Sequence, residues 1–231
     1  MNISIEIDYP RGAAENMRRD ETAFSWRENG ILSGAYLRFY SWRAPAISLG
    51  YAQEPEKVFA VRKAQEQGVE LTRRITGGGL VLHQPQELTY CLVAPLNFWP
   101  EGILLSCKAV SGIFIAALRK MKIRARLAAN PGGGDDFARD ICFLRPAKYE
   151  VVAGGRKLLG SAQKRGRFYL LQHGSLPLTP IWPGFAELLD IRHIRRNSTN
   201  MQSLTGQTYR YQDVAQIIAA EFQRAEFPPG G

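Results

Sequence analysis

The chain has 231 residues, 45% of them hydrophobic and 22% charged, so it can form one large domain or two small ones without disulfides or a metal. This composition argues against a disordered, collagen-like or coiled-coil chain, and the longest apolar stretch, near residues 102–118, is too interrupted for a membrane span. The net charge of +9 indicates an anionic partner, which by charge alone could be nucleic acid, a membrane surface or an acidic protein.

The arginines and cysteines limit which anionic partners and which cellular compartment are expected. Arginine supplies 22 of the 30 basic residues, but no zinc-finger spacing, helix-turn-helix pattern or aromatic RNA-binding signature accompanies it. Three cysteines are too few for a disulfide framework, and the N-terminus lacks the basic and apolar blocks of a secretory signal. We therefore expect a cytoplasmic protein with reduced thiols that binds neither nucleic acid nor membrane.

The first part of the chain predicts strands and helices in alternation. Isoleucines at every second position of residues 3–7 are typical of a half-buried strand, and the apolar spacing of residues 13–28 predicts a helix. Two short strands are expected at residues 36–40 and 46–49, on either side of a turn. A second helix is predicted over residues 54–67.

The rest of the chain predicts hairpins more often than strand–helix–strand units. A long helix is expected over residues 102–121 and a glycine-rich loop over 130–136. Further strands are expected at residues 70–74, 80–83, 88–94, 147–152, 157–163 and 168–173, and further helices at 182–189 and 212–224. Because hairpins dominate and no repeat or long linker is present, we expect a single α+β domain over residues 1–231, with a mostly antiparallel or mixed sheet.

A glycine-rich turn between two strands is the first candidate binding element. Arg73 and Arg74 precede it, and the glycines at 77–79 allow backbone N–H groups to approach a ligand closely. The arginines suit a phosphate or carboxylate, whereas the alternative is an ordinary turn beside surface arginines. The spacing matches neither a Walker loop nor a Rossmann fingerprint.

A second candidate is the hairpin whose turn, at residues 154–155, places Lys157 on the following strand. On a regular strand, Lys157 and Ser161 share one face. The small residues at 160–162 leave room for a ligand against the backbone. The alternative is that Lys157 is a solvated charge at the sheet edge.

Cys142, at the exit of the glycine-rich loop, is the candidate nucleophile. Cys91 falls in a predicted strand and Cys107 in the long helix, so we expect both in the core. A free thiol has a pKa of about 8.5, and an ammonium held nearby lowers it. Cys142 and Lys157 are 15 residues apart (157 − 142), which fits a strand–turn–strand that brings them together.

Taken together, these segments resemble the signature of the lipoate–protein ligase and octanoyltransferase superfamily. The similar segments are residues 73–83, 88–90, 149–151, 155–163 and 171–175, with weaker similarity at 16–21 and 203–206. The resemblance covers nearly the whole chain. It implies the fold shared with the biotin-ligase catalytic domain, a mixed and largely antiparallel sheet flanked by helices.

The resemblance implies different chemistry in different members of the superfamily. Lipoate ligases activate the free acid with ATP and commonly carry a C-terminal accessory domain, for which we expect no room here. Octanoyltransferases pass octanoyl from acyl carrier protein through a cysteine thioester to a lysine of a lipoyl domain. Cys142, directly before Phe143, matches the nucleophile position of the ligase-like octanoyltransferases, and no cysteine follows it where the other class has its own.

The resemblance thus predicts an octanoyl-acyl-carrier-protein:protein octanoyltransferase without cofactor or metal. Its acceptors would be the glycine-cleavage H protein or 2-oxoacid dehydrogenase subunits. The expected catalytic residues are Cys142 and Lys157, and the expected substrate-binding residues are Arg73, Arg74, Thr76, Gly77, Gly78, Gly79, His83, Gly160, Ser161 and Ala162. Three alternatives stay open: an ATP-dependent lipoate ligase, an amidotransferase acting between H protein and other lipoyl domains, and a non-enzymatic module that binds acyl carrier or nucleic acid.

Overall fold

The structure, a computed structural model, describes residues 3–129, 141 and 147–225, which form ten strands and six α-helices. The strands are β1 (Ile3–Ile7), β2 (Ala35–Tyr40), β3 (Ala46–Leu49), β4 (Glu70–Arg73), β5 (Val81–His83), β6 (Leu88–Pro95), β7 (Ala125–Leu127), β8 (Val151–Ala153), β9 (Arg156–Arg165) and β10 (Tyr169–Leu176). The helices are α1 (Ala13–Glu28), α2 (Val61–Glu66), α3 (Ile103–Lys120), α4 (Ile191–Asn197), α5 (Met201–Thr205) and α6 (Tyr211–Arg224). None of these helices is long and apolar enough to cross a membrane.

Seven strands form the large sheet, in the order β1-β2-β6-β10-β9-β8-β7. The pair β1–β2 is parallel, and the other neighbouring pairs are antiparallel. In this register His173 of β10 lies opposite Cys91 of β6 and Ala162 of β9. The predicted α+β fold with a mixed, largely antiparallel sheet is confirmed.

Helices cover both faces of the large sheet. Successive side chains of a strand point to opposite faces, so neighbouring residues of β6 belong to different cores. On β6, Leu92 belongs to the core under α3 and α6, where the rings of Phe114 and Phe222 meet with 5.9 Å between centroids. Its neighbour Cys91 belongs to a second core with Phe24 of α1. The large sheet therefore lies between α1 and the pair α3–α6.

A smaller sheet, in the order β4-β3-β5, carries the glycine-rich turn. Strand β3 is parallel to β4 and antiparallel to β5. The turn packs closely on Gly50, since a Cβ added there would lie 2.0 Å from the carbonyl oxygen of Gly78. Ile47, Leu80 and Phe185 belong to a core of this region that is separate from those of the large sheet.

Two predicted helices differ from the structure. Residues 54–67 form a 3-10 turn at Pro55–Lys57 and then α2, rather than one continuous helix. Residues 182–189 likewise contain a 3-10 helix, at Pro183–Glu187. In both segments the apolar spacing predicts an α-helix. A proline in the first turn fits a 3-10 turn equally well, so the spacing alone does not distinguish the two.

The prediction also missed three short elements, β7, α4 and α5. The side chain of Asp190 caps α4 by accepting the Arg192 N–H at 3.0 Å, and that of Asn200 caps α5 by accepting the Ser203 N–H at 2.9 Å. Helices of five to seven residues have too few turns for a helical period of apolar residues to be visible. The predicted loop at 130–136 lies outside the described residues.

Candidate active site

A narrow cavity of about 30 Å³ lies where the small sheet meets the large one. Five of the predicted site residues line it, namely Arg74, His83, Gly160, Ser161 and Ala162. This volume holds about one water molecule, so the walls must separate before an acyl chain can enter. Met17, whose unbranched side chain adapts easily to a new shape, is also on the wall.

His83 is fixed by contacts on both ring nitrogens and on its ring face. Its Nε2 lies 2.8 Å from the Ser48 hydroxyl, and its Nδ1 lies 2.8 Å from Oε1 of Glu87. The ring stacks on Trp42 with 3.8 Å between centroids. Since a carboxylate only accepts, Nδ1–H donates to Glu87, and Nε2 and the Ser48 hydroxyl form the second hydrogen bond.

His173, which sequence reasoning did not select as a site residue, makes a similar chain of contacts on another wall of this cavity. Its Nε2 lies 2.7 Å from the Thr76 hydroxyl, and its Nδ1 lies 3.2 Å from Oδ2 of Asp20. Asp20 in turn accepts a hydrogen bond from Arg38 at 3.0 Å. Burial lowers the pKa of His173, so the ring is neutral at pH 7 and accepts the Thr76 hydroxyl proton.

The two predicted arginines hold the backbone of the glycine-rich turn. The buried Arg74 guanidinium donates to the carbonyl oxygens of Ser48, Gly77 and Gly79 at 2.7 to 2.9 Å. The Arg73 guanidinium donates to carbonyl oxygens of residues 50, 51 and 53 at 2.7 to 3.0 Å. These contacts give both arginines a structural task. Arg74 is buried, whereas Arg73 is exposed, as the alternative of surface arginines assumed.

The other predicted residues of the turn are close to the narrow cavity without lining it. Thr76 reaches it through the hydrogen bond to His173. Gly77 and Gly78 line a separate depression that includes Lys57. Gly79 contributes its carbonyl oxygen to Arg74. The turn therefore contacts the cavity through two residues that line it, Arg74 and His173.

Lys157 is buried, with 1% of its side chain exposed, so the alternative of a solvated edge charge is wrong. Its Nζ lies 2.7 Å from Oε2 of Glu150. The Glu150 carboxylate also accepts the backbone N–H groups of Ala147 at 2.7 Å and Ser161 at 3.2 Å. Glu150, which sequence reasoning did not select, thus joins the lysine to the part of β9 that lines the narrow cavity.

Strand β9 is irregular beside Lys157. Its pairing with β8 shifts between Val151 and Val152, and the consecutive residues Leu158 and Leu159 both belong to the main core. The strict alternation that predicted a shared face for Lys157 and Ser161 therefore does not hold. An irregularity of this kind redirects a side chain locally, which residue spacing alone does not reveal.

The thiols differ in position. Cys91 is buried as predicted, and burial raises its pKa well above the usual range. Cys107 is only half-buried, and burial together with the charge of Glu150 raises its pKa to about 11. Cys142 lies outside the described residues, whereas its neighbour Ile141 is buried and forms a β-bridge with Leu80.

Known proteins share the sequence pattern of this chain. The profile of the family described as the lipoyl protein ligase A/B catalytic domain matches residues 12–223. Octanoyltransferase LipM of Moorella thermoacetica is 43% identical over 148 residues, which cover 62% of this chain and 53% of that protein. Octanoyltransferase LipM of Symbiobacterium thermophilum is 31% identical over 229 residues, which cover 93% of this chain and 83% of that protein. The chain thus spans about half of the length of the Moorella protein.

Solved structures share its fold. A bipartite lipoate protein ligase from Thermoplasma acidophilum, studied with its E2 lipoyl domain, superposes with a TM-score of 0.74 at 18% identity, covering 97% of this chain and 83% of that one. At this identity the likeness concerns the fold alone, and it confirms the lipoate-ligase-like architecture. The family profile matches most of the chain, including every residue of the narrow cavity. The chain therefore belongs to the lipoyl protein ligase A/B catalytic domain family.

Proposed function

We propose that this chain is an octanoyltransferase of lipoate biosynthesis, with its two sheets acting as one catalytic domain. It takes octanoyl from octanoyl acyl carrier protein and attaches it to a lysine of a lipoyl domain, in the glycine-cleavage H protein or a 2-oxoacid dehydrogenase subunit. The observation that carries this proposal is the 31% identity over 229 residues to an octanoyltransferase. The narrow cavity between the sheets supports it, because an acyl chain can lie there once the walls separate.

The proposed reaction passes through a thioester on Cys142. The Cys142 thiolate attacks the carbonyl carbon of the donor thioester, and the carrier thiolate leaves and takes up a proton. The unprotonated amine of the acceptor lysine then attacks the acyl-enzyme, forms the amide, loses a proton and releases the Cys142 thiolate. Because one thioester replaces another in the first step, the transfer needs no ATP.

Lys157 is proposed to favour the thiolate form of Cys142. A buried ammonium acts through surroundings that screen charge less than water does, so it favours a nearby anion strongly. Glu150 compensates part of this charge and fixes the position of the ammonium at 2.7 Å. The raised pKa values of Cys91 and Cys107 make both thiols poor nucleophiles, which supports the assignment to Cys142.

The acyl chain is proposed to enter the narrow cavity between Met17 and the backbone of residues 160–162. The small side chains there allow close contact with the chain, and Met17 can move to widen the space. His83 and His173 have both ring nitrogens in hydrogen bonds, so their rings add no unpaired polar group to the wall. Apart from the Ser175 hydroxyl, which has no partner in the described structure, such a wall suits an apolar chain.

The test is transfer of octanoyl from octanoyl acyl carrier protein to a purified lipoyl domain, with no ATP present. We expect the mass of the lipoyl domain to increase by one octanoyl group, and we expect Cys142→Ala to abolish the transfer. Cys107→Ala is the matched control, since its thiol has a raised pKa and should leave the rate nearly unchanged. Transfer that requires free acid and ATP, with release of AMP, would contradict the proposal and identify a ligase.

A further inference from the structure

A second cavity, of about 220 Å³, lies on the other side of β5 from the narrow one. Leu80 and Leu82 line this larger cavity, whereas Val81 and His83 line the narrow cavity. Alternate side chains of one strand segment thus face two different spaces. Residues 80–83 form a thin wall between the proposed acyl site and the larger cavity.

The larger cavity has a positive wall. Arg156, which is half-buried, and Arg195, which is exposed, both line it. Among the described residues, no carboxylate lies within 4 Å of either guanidinium, and neither donates a side-chain hydrogen bond. Glu87 also lines the cavity and adds one carboxylate, whose Oε1 accepts hydrogen bonds from His83 and Thr89, both at 2.8 Å. Two available guanidinium groups indicate an anionic ligand.

A buried hydroxyl on the same wall has no partner. Thr199 is 4% exposed, lines the larger cavity, and its Oγ1 has no hydrogen-bond partner in the described part of the chain. Buried polar atoms are nearly always hydrogen-bonded, so this hydroxyl is available to a polar group of a ligand that reaches it. Leu80 and Ile141 supply apolar wall beside it, so the fitting ligand has both polar and apolar parts.

The larger cavity is also lined by chain neighbours of the proposed catalytic residues. Arg156 directly precedes Lys157 on β9, and the Lys157 carbonyl oxygen accepts the Thr199 N–H at 2.8 Å. Ile141, the residue before Cys142 in the chain, lines the cavity as well. A ligand in the larger cavity therefore contacts residues that are next in the chain to both proposed catalytic residues.

We propose that the larger cavity binds the phosphate-bearing pantetheine arm through which the donor presents its thioester. The arm combines amide groups, a short aliphatic part and a phosphate ester, which matches hydroxyls, apolar side chains and two free guanidinium groups. The phosphate contacts Arg156 and Arg195, and a polar group of the arm contacts Thr199. This assignment rests on the proposed function, because it takes the donor to be an acyl carrier protein.

The kinetic test compares two small donors that differ only in the phosphate, octanoyl-4′-phosphopantetheine and octanoyl-pantetheine. We expect wild-type protein to use the phosphorylated donor with about tenfold higher kcat/KM, since a charge-assisted hydrogen bond has about this effect. In Arg156→Gln the ratio of the two kcat/KM values should approach one, and in Arg156→Lys it should be largely kept. Arg124→Gln, which removes an exposed arginine from another basic depression, is the control and should keep the wild-type ratio.

A binding measurement separates this proposal from the proposed function. Unacylated 4′-phosphopantetheine is titrated calorimetrically into Cys142→Ala protein, with pantetheine and ATP titrated in parallel. We expect about tenfold tighter binding of the phosphorylated arm than of pantetheine, and loss of this difference when Arg156→Gln is added. Phosphate-dependent binding to Cys142→Ala, together with no octanoyl transfer by the wild-type protein, would reject the proposed function and leave the cavity assignment standing. Equal or absent binding of the two arms, or Arg156-dependent binding of ATP in their place, would overturn the cavity assignment.

Discussion

Glu150 and Lys157 form a buried ion pair, with 2.7 Å between the carboxylate Oε2 and the lysine Nζ. The pair closes the hairpin β8–β9, since Glu150 stands just before β8 and Lys157 is the second residue of β9. Glu150 also accepts the backbone N–H of Ser161, whose side chain is on the wall of the narrow cavity. The position of the Lys157 ammonium is therefore set by protein contacts, since the side chain is shielded from solvent.

This ion pair makes a prediction about stability. Glu150→Gln leaves the buried ammonium without this carboxylate, so we expect the free energy of unfolding to fall by about 3 kcal/mol. The double variant Glu150→Gln/Lys157→Met, which removes both charges, should lose less than Glu150→Gln alone. Urea denaturation measures all three proteins. Glu66→Gln, in the exposed pair of Arg62 and Glu66, is the control and should change stability little. Equal losses in the single and double variants would count against a coupled pair.

A second prediction concerns the reactivity of Cys142. Lys157→Met removes the positive charge proposed to stabilise the thiolate, so the pH midpoint of alkylation should rise by about one unit. The rate of iodoacetamide labelling is followed against pH in a Cys107→Ala background, by mass spectrometry of the peptide that contains Cys142. Lys164→Met, which removes an exposed lysine from the same strand, is the matched control. The same midpoint in Lys157→Met and wild type would refute an activating role.

A third prediction follows from the buried His173, whose pKa burial lowers below its usual value of 6.5. As the pH falls below 6.5, the unfolded chain binds more protons at this residue than the folded protein does, so acid favours unfolding. Between pH 6.5 and 5 the unfolding free energy of wild type should fall more steeply than that of His173→Gln. The difference in slope is limited to about 1.4 kcal/mol per pH unit, the value for one proton, and is measured by urea denaturation. His193→Gln, at an exposed site, should keep the wild-type slope; an equally steep profile in His173→Gln would exclude this residue as the cause.

Two serines on the wall of the narrow cavity allow a matched comparison. Ser48 contacts His83 at 2.8 Å, whereas the buried Ser175 hydroxyl has no partner in the described structure. Ser48→Ala should lower the unfolding free energy by about 1–2 kcal/mol, because it leaves His83 Nε2 unpaired. Ser175→Ala should leave stability equal or higher by up to about 1 kcal/mol. Thermal and urea unfolding of the two variants give the comparison, and the reverse order would contradict these assignments.

Elements decided by local patterns could be predicted from the sequence. Alternating isoleucines gave strand β1 with its observed bounds, and apolar spacing gave α1 with its observed bounds. Segments 73–83 and 160–162 were both predicted to bind a ligand, and Arg74, His83 and residues 160–162 do line one cavity, whereas the glycines at 77–79 do not. Nothing in either segment showed that the two walls would meet.

Features that depend on distant residues could not be predicted. His173 contacts Thr76 and Asp20, which are 97 and 153 positions away, so the fold alone brings them together. The burial of Lys157 depends on the irregular pairing of β8 with β9, which residue spacing does not show. The separation of the two cavities by residues 80–83 likewise appears only once the small sheet is placed against the large one.

The most direct test of the account is the intact mass of the protein after brief mixing with octanoyl acyl carrier protein, without acceptor. We predict that wild type gains one octanoyl group, that hydroxylamine removes it as expected for a thioester, and that proteolysis places it on the peptide containing Cys142. Cys107→Ala should gain the same group, and Cys142→Ala should gain none. A stable octanoyl adduct on Cys142→Ala, or no adduct on an active wild-type enzyme, would contradict the proposed thioester on Cys142.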